Sequence, residues 1–353
     1  MKRHENEASE PDRRDFLQAG LIGAGAVLAT PLLTAAEPLE LSDVGPDKIP
    51  RKPFGKTKER LSVIGLGGFS IGSAPSYKDA EQIVHEAVDA GVNFCDNAWE
   101  YHDGRSEEWM GRALKGRRDK VFLMTKVCTH GRDKKVAMTQ LEESLKRLQT
   151  DHLDLWQIHE VVYENDPDLH FAKGGVVEAL EEAKKRGKVR YVGFTGHKNP
   201  SIHLKMLAHD FPFDSVQMPL NCFDASYRSF AKEVLPEVLK RGMAALGMKS
   251  MGGGGQPILQ GAVTAQEALR YAMSLPVAVT ISGIDALSVL RQNLAVARGF
   301  TPLTGQQMQA LRDRCAPVAA DGHLELYKST MMYDGDVGRE QHGYPPKKAL
   351  PLE

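Results

Sequence analysis

The sequence predicts a (β/α)8 TIM barrel. Strand-like and helix-like runs alternate from Arg60 onward in eight pairs of about 30 residues each, the size of a typical barrel unit. Several strand candidates are short continuous apolar runs, as expected for parallel strands covered on both faces. A doubly wound open sheet also fits the alternation, but the first strand is not followed by the G-x-G-x-x-G spacing of a dinucleotide-binding sheet: its glycines are Gly65, Gly67, Gly68 and Gly72.

The predicted strands and helices follow one another along the chain. The strands are residues 61–66, 92–96, 120–125, 153–158, 189–195, 215–218, 243–248 and 277–282. The helices are residues 78–90, 106–115, 135–148, 174–186, 200–208, 231–241, 264–274 and 287–297. Gly91, Gly187 and Gly242 follow three of these helices, where a left-handed C-terminal cap favours glycine.

The first 36 residues have the pattern of an export signal. Arg13-Arg14 precedes Phe16-Leu17, and an uncharged stretch and small residues follow up to Ala36. The apolar run of about 15 residues is shorter than a stable membrane span. The arginine pair resembles a twin-arginine signal, which predicts recognition by that export machinery and a periplasmic location. An uncleaved signal that tethers the protein to the membrane is the alternative.

The rest of the chain divides into a predicted linker, residues 37–52, and a barrel with a C-terminal extension, residues 53–353. Lys and Arg number 45 against 46 for Asp and Glu, a net charge of −1, which argues against nucleic acid as a partner. Four cysteines without a CxxC motif predict no disulfide framework, although a single bridge stays open. The histidines His102, His130, His197 and His203 have no metal-ligand spacing, so we expect no metal.

Four chemically active side chains fall at the ends of three consecutive predicted strands: Asp96, Tyr101, Lys126 and His159. Each alone has an ordinary structural explanation, but active sites of such barrels lie at the carboxyl ends of the strands. An ammonium beside a phenol stabilises the phenolate, so we expect Lys126 to lower the pKa of Tyr101. A phenol of this kind could protonate the oxygen of a carbonyl group that accepts hydride, and the hydride must come from a cofactor.

At these residues the chain resembles the aldo-keto reductase family. The resemblance lies in the segments FGKTKERLSVIGLGG, DNAWEYHDGRSEEWMGRALKGRRDKVFLMTK and LDLWQIHEV. It implies a barrel, a nicotinamide cofactor held across the strand ends, and the reduction of an aldehyde or ketone or oxidation of the alcohol. It also implies that Tyr101 is the general acid, that Lys126 and Asp96 tune it, and that His159 orients the substrate.

The resemblance extends to the cofactor. Gln217 matches the glutamine that bonds the nicotinamide amide, and Met248 replaces an aromatic residue. The family's usual asparagine is absent at Gly196, where His197 could replace it. Gly283 stands where members of the family that select the 2′-phosphate of NADP carry a lysine. NADP is therefore favoured only because it is common in the family, and NAD stays open. The predicted cofactor-binding residues are Gly68, Thr195, Gln217, Met248, Ser250, Gly283, Gln292 and Asn293.

Substrate features are less specific. Phe69, Trp99, His102 and Phe223 are predicted to line a pocket for a small carbonyl or sugar-like substrate, and residues 324–344 to form either a lid over the barrel mouth or a tail packed on its side. Two other functions stay open. One is a slow regulatory or binding barrel of the channel-subunit type. The other is an isomerase or dehydratase that works by transient oxidation with a tightly bound cofactor.

Overall fold

The computed structural model describes residues 39–128 and 133–349. The predicted export signal therefore lies outside the described residues. The strands are β1 Arg51–Pro53, β2 Arg60–Ser62, β3 Ile64–Gly67, β4 Phe94–Cys95, β5 Phe122–Val127, β6 Leu153–Ile158, β7 Val189–Thr195, β8 Ser215–Pro219, β9 Ala244–Met248 and β10 Val279–Gly283. Strands β3 to β10 close into a parallel barrel in which β10 pairs with β3. The closed barrel confirms the predicted fold class and excludes the open sheet.

An antiparallel hairpin of β1 and β2 precedes the barrel. The predicted strand 61–66 is in fact two strands, because the chain leaves the hairpin at Ser62 and enters the barrel at Ile64. Phe54 and Leu61 of the hairpin are buried with Phe94 of the barrel in one apolar cluster. The hairpin thus contributes to the core that supports the barrel strands from their amino-terminal ends.

The predicted linker 37–52 differs from the structure, in which residues 39–52 pack against the barrel. Ile49 belongs to the main core and is only 4% exposed. Lys52 in β1 is buried, and its Nζ donates hydrogen bonds to the carbonyl oxygens of Met273, at 2.5 Å, and Leu275, at 3.1 Å. These contacts attach the segment to the end of a barrel helix, so it is part of the folded domain.

The helices surround the barrel. They are α1 Gly68–Ser73, α2 Tyr77–Asp89, α3 Arg105–Ala113, α4 Lys134–Leu148, α5 Asp166–Phe171, α6 Val176–Lys185, α7 Pro200–Ala208, α8 Phe230–Glu233, α9 Leu235–Lys240, α10 Gln256–Leu259, α11 Ala265–Ser274, α12 Leu287–Ala297, α13 Gly305–Ala319, α14 Leu326–Ser329 and α15 Asp336–Gln341. The predicted helix 231–241 is divided into α8 and α9, because Pro236 lacks the N–H that would continue the helical hydrogen bonds. Within the described ranges, no helix has the length and apolarity to cross a membrane.

Three helices end next to the glycines that the sequence predicts as C-terminal caps. Gly91, Gly187 and Gly242 have φ angles of 105°, 69° and 69°, a region that side chains with a Cβ rarely adopt. Each lies directly beyond a helix, where the turn brings the chain back toward the next barrel strand. The glycines therefore set the short returns that place consecutive strands side by side.

Candidate active site

The carboxyl ends of the barrel strands open into a cavity of about 810 Å³. Asp96, Tyr101 and His159 line it, together with residues of the stretch 324–344, which lies across the mouth. We call this stretch the lid. Its contribution of Met332, Tyr333 and Gly335 to the lining confirms the predicted C-terminal loops over the barrel mouth.

Lys126 is the centre of the predicted catalytic set. It lies in β5, is 1% exposed, and donates hydrogen bonds to Asp96 Oδ1 at 2.5 Å and to the carbonyl oxygen of Asn97 at 2.6 Å. Its Nζ is also 3.5 Å from the hydroxyl of Tyr101, which follows in a short helical turn after β4. The ring of His159 stands edge-on to the ring of Tyr101, with centroids 5.5 Å apart. The structure therefore brings all four predicted side chains together.

The prediction of a lowered pKa for Tyr101 is wrong in this structure. Burial raises the pKa of Tyr101 well above its ordinary value, and the carboxylates of Asp96, Glu100 and Glu160 raise it further. Lys126 does not compensate, because its ammonium is held by Asp96, and burial lowers the pKa of the lysine itself. Tyr101 is therefore a neutral phenol at physiological pH, which is the form that can donate a proton.

Two glutamates beside these residues were missed by the sequence reasoning. His159 Nδ1 lies 2.6 Å from Glu100 Oε1, and the Cys128 thiol donates to Glu100 Oε2 at 2.9 Å. Burial opposes ionisation of Glu100, but the imidazole and the thiol hold its pKa below the ordinary value. Glu160 has a φ of 51° and accepts a hydrogen bond from the lid amide of Gly335 at 2.8 Å. The sequence did offer a hint of both glutamates, since each is next to a predicted catalytic residue in the chain.

Five of the predicted cofactor residues line the same cavity: Thr195, Gln217, Met248, Ser250 and Gly283. Gln217 is 2% exposed and its Nε2 is 3.6 Å from Met248 Sδ, while its Oε1 has no hydrogen-bond partner among the described residues. A buried amide oxygen without a partner favours a ligand that donates a hydrogen bond to it. The carboxamide of a nicotinamide cofactor has such a donor, so the residues present fit that group.

Three predicted cofactor residues lie outside the cavity lining: Gly68, Gln292 and Asn293. A Cβ on Gly68 would lie 2.4 Å from the carbonyl oxygen of Asp96, so this glycine permits close packing of backbone segments. Asn293 is buried and donates to Ser282 Oγ at 3.0 Å, and Gln292 is exposed. The assignment of these three to the cofactor stays a prediction.

The predicted substrate residues divide in the same way. Phe69 and His102 line the cavity. Trp99 does not, because its indole N–H donates to Glu143 at 2.6 Å, and Phe223 is fully buried in the core. His197 lines the cavity and its Nδ1 is 3.1 Å from the carbonyl oxygen of Tyr327, so it contacts the lid.

Lys249, directly after β9, is a further residue that the sequence reasoning missed. It has a φ of 59°, an unfavourable region for a side chain with a Cβ, and its Nζ lies 4.8 Å from the ring centre of Tyr333. Burial lowers its pKa to about 8. Within the described part of the chain no carboxylate lies within ion-pair distance of this ammonium, which lines the cavity beside the glycine run Gly253–255. A cation in this position favours an anionic ligand.

Buried ion pairs attach the lid to the barrel. The Lys328 ammonium, which is fully buried, lies 2.7 Å from Asp224 and 2.8 Å from Glu325. Lys198 forms a second pair with Asp334 at 2.8 Å. These contacts hold the lid at the mouth of the cavity.

The predicted absence of a metal stays a prediction. Among the described residues, Glu100, His159 and Glu160 place one ligand atom each within 4.8 Å of one another. His203 packs in the core against Phe194 and Phe230, and burial lowers its pKa to about 3. His130 lies outside the described residues.

Comparison with known proteins decides the family. The family model "Aldo/keto reductase family" matches residues 63–257, more than half of the chain. The chain belongs to the aldo/keto reductase family. An uncharacterized oxidoreductase of Bacillus subtilis, YqkF, is 26% identical over 302 residues, covering 74% of this chain and 95% of the relative. Among solved structures, the holo form of a Bacillus halodurans aldo-keto reductase superimposes with a TM-score of 0.64 at 23% identity, over 78% of this chain and 99% of that chain.

Two further similarities are narrower. The methylglyoxal reductase YeaE of Escherichia coli is 34% identical over 134 residues, which cover 38% of this chain and 45% of the relative. A Klebsiella pneumoniae aldo/keto reductase, solved with NADP and acetate, superimposes with a TM-score of 0.61 at 22% identity, over 74% of this chain and 94% of that chain. Family membership and the oxidoreductase relatives identify this aldo/keto reductase as an NAD(P)-dependent oxidoreductase.

Proposed function

We propose that this enzyme transfers hydride between a nicotinamide cofactor and the carbonyl carbon of a small, neutral, hydroxyl-rich aldehyde or ketone, with Tyr101 as proton donor. One observation carries the proposal. The Tyr101 hydroxyl lies 3.5 Å from Lys126 Nζ, and Tyr101 lines the same cavity as Gln217, whose amide oxygen has no hydrogen-bond partner within the described ranges. Proton donor and cofactor contact thus face the same space.

The protein residues provide the proton and the geometry. A bound nicotinamide supplies or accepts the hydride. Tyr101 keeps its proton until negative charge develops on the substrate oxygen, and then donates it. The nearby Lys126 ammonium stabilises the resulting phenolate, and Asp96 holds that ammonium in place.

Carboxylates around the cavity support a neutral, sugar-like substrate. Asp103, Glu160, Asp285 and Asp336 line it with Glu100. Ionised carboxylates accept hydrogen bonds from hydroxyl groups and repel anionic substrates. The similarity to a methylglyoxal reductase supports a small carbonyl compound as the reacting part.

NADP is the cofactor we favour, with NAD as the alternative. The Klebsiella relative solved with NADP supports the first. Gly283 and the exposed Asp285 offer no cation to a 2′-phosphate at the end of β10, which supports the second. Equilibrium dissociation constants for the two dinucleotides, measured by quenching of protein fluorescence, decide between them.

We also propose that the chain is exported through the twin-arginine route with its cofactor bound. The support is Arg13-Arg14 with the uncharged run that follows, together with the lid residues that line the mouth of the cavity. Free nicotinamide cofactor is scarce outside the cytoplasm, so retention and recycling within one site would be needed.

A channel-subunit-like role has support in a rice potassium-channel beta subunit, 33% identical over 153 residues that cover 40% of this chain and 45% of the relative.

A labelling experiment tests the proposed reaction. The protein is incubated with D-glyceraldehyde and NADPH or NADH deuterated at C4 of the nicotinamide, and the products are analysed by mass spectrometry. We expect one deuterium in the glycerol formed. Tight dinucleotide binding without deuterium transfer to glyceraldehyde, methylglyoxal or xylose would instead favour a regulatory barrel, and release of an isomerised sugar would favour transient oxidation.

A further inference from the structure

Two cysteines that the proposed reaction does not use lie side by side at the base of the lid. Cys222 follows β8 and Cys315 lies in α13, and their sulfur atoms are 3.8 Å apart although 93 positions separate them in the chain. We propose that these two thiols form a disulfide bond in an oxidising compartment and that the bond anchors the lid to the barrel. The inference takes its oxidising compartment from the proposed export and is independent of the proposed hydride transfer.

The geometry and the surroundings of the pair favour the bond. A disulfide is about 2.05 Å long, so the sulfurs must approach each other by less than about 2 Å, which rotation of the two side chains and a small shift of α13 can provide. Cys222 and Cys315 are 1% and 0% exposed and belong to the main apolar core. The Cys222 thiol and, to a smaller extent, Arg314 hold the pKa of Cys315 below its ordinary value. Cys315 therefore supplies the thiolate, which is the reactive form.

The bond forms by thiol–disulfide exchange with a small disulfide such as oxidised glutathione, which is the oxidant. The Cys315 thiolate attacks one sulfur of the oxidant, releases one glutathione thiolate and leaves a mixed disulfide. The Cys222 thiol then loses its proton and attacks the Cys315 sulfur, and the second glutathione thiolate leaves. Two electrons pass from the cysteines to the oxidant, and the two protons of the cysteines go to the two glutathione thiolates.

Pro317 gives the oxidant a route to the buried thiols. This proline lies inside α13, two residues beyond Cys315. Because proline has no N–H, it cannot donate the helical hydrogen bond to the carbonyl oxygen of Asp313. The turn that carries Cys315 is therefore weakened, and its local opening exposes the thiol without unfolding the barrel. Oxidation of the folded protein should accordingly be accelerated by urea at concentrations that do not unfold it.

The bond joins the two segments that hold the lid. The C-terminal end of α13 leads into the lid, and Asn221 and Asp224 lie on either side of Cys222 in the chain. Asn221 Nδ2 donates to Glu325 Oε1 of the lid at 3.0 Å, and Asp224 lies 2.7 Å from the Lys328 ammonium. The disulfide adds a covalent link at the place where these polar contacts attach the lid.

The first test assigns the thiols of the purified wild-type protein. The folded protein is incubated with oxidised glutathione in sub-denaturing urea, alkylated and digested for mass spectrometry. We expect one linked pair of peptides, which joins Cys222 to Cys315, whereas Cys95 and Cys128 are alkylated. Reduced Cys222 and Cys315, or a bond from either of them to another cysteine, would overturn the proposal. Since this experiment needs no export, the bond and the export route can fail separately.

The second test measures the anchoring. Cys222→Ala and Cys315→Ala each remove one partner, and Cys95→Ala keeps the pair as the matched control. Because the bond closes a long loop, we expect oxidation to raise the Tm of wild type and Cys95→Ala by about 5 °C or more and that of the other two variants by less than about 1 °C.

Hydrogen–deuterium exchange locates the effect in the structure. We expect oxidation to slow exchange in residues 316–330 of the wild type and of Cys95→Ala, and to leave it unchanged in the two variants that lack the pair. An oxidised wild type with the Tm or the exchange of the reduced protein would contradict the anchoring role. Both measurements use the protein without substrate, so their outcome does not depend on the proposed hydride transfer.

Discussion

The ammonium of Lys126 donates to the carboxylate of Asp96 at 2.5 Å in the interior of the barrel mouth. This pairing explains why the pKa of the neighbouring phenol stays above its ordinary value although the lysine is close. The positive charge is largely balanced by Asp96, and two further carboxylates, Glu100 and Glu160, act on Tyr101 in the opposite direction. The phenol is therefore neutral at physiological pH, which is the form that the proposed proton donor requires.

We expect Tyr101→Phe to reduce kcat for carbonyl reduction by a factor of about 10²–10⁴, the usual contribution of a positioned proton donor. The substitution removes only the hydroxyl, so dinucleotide binding should change little. Stopped-flow measurement of nicotinamide oxidation separates the chemical step from binding. Unchanged turnover in this variant would show that another group supplies the proton.

Gln217→Met should weaken dinucleotide binding without destabilising the free protein. Its buried amide oxygen has no partner among the described residues, so methionine of similar size costs the free enzyme little. We expect the dissociation constant to rise about tenfold, or ~1.4 kcal/mol, and the free energy of unfolding to stay within about 1 kcal/mol. The exposed Gln306→Met is the control for both measurements. Equal affinities would remove Gln217 from the cofactor site.

Lys328→Met should open the lid. It leaves the carboxylates of Asp224 and Glu325 buried without their cation, and breaking such a pair costs about 3–5 kcal/mol. We expect faster hydrogen–deuterium exchange in residues 324–344 and weaker retention of the dinucleotide. The exposed Lys205→Met is the control. Unaltered exchange in the lid would contradict its attachment through Lys328.

Lys52 predicts a dependence of stability on pH. Burial lowers its pKa to about 7 in the folded protein, below the ordinary value of 10.5 in the unfolded chain. Below pH 7 both states bind the proton and the folded state bears the full cost of a buried charge. Between pH 7 and 10.5 the unfolded chain binds more protons, so this residue's contribution to stability rises with pH. From pH 7 to 10, the unfolding free energy of the wild type should therefore increase relative to that of Lys52→Met.

Urea unfolding at pH 6, 8 and 10 measures this difference. The exposed Lys240→Met is the control, and it should show no comparable change with pH. Parallel stability curves for wild type and Lys52→Met would mean that the two carbonyl contacts of the ammonium keep it charged throughout this range.

The export proposal predicts that Arg13→Lys/Arg14→Lys retains the protein in the cytoplasm, because the twin-arginine machinery reads the arginine pair. Cell fractionation with antibody detection measures the distribution, and Arg3→Lys serves as control. Periplasmic protein at wild-type levels from the double variant would exclude this route.

The sequence by itself determined the barrel and the grouping of the four predicted catalytic residues, because these depend on periodic features. Apolar strand runs, glycine returns and strand-terminal polar residues repeat along the chain, and Asp96, Tyr101, Lys126 and His159 fall at the ends of neighbouring strands. The positions of Thr195, Gln217 and Met248 on the cavity were predictable for the same reason.

Only the tertiary structure decided how these groups interact. Burial and three carboxylates raise the pKa of Tyr101. The size of this combined effect depends on the distances between β4, β5, β6 and the lid. The contact of Glu100 with His159, the position of Trp99 and Phe223 outside the pocket, and the ion pair of Lys328 with Asp224 all depend on segments far apart in the chain. Local patterns specify where a strand ends, whereas charge balance and side-chain direction are set by what packs against that end.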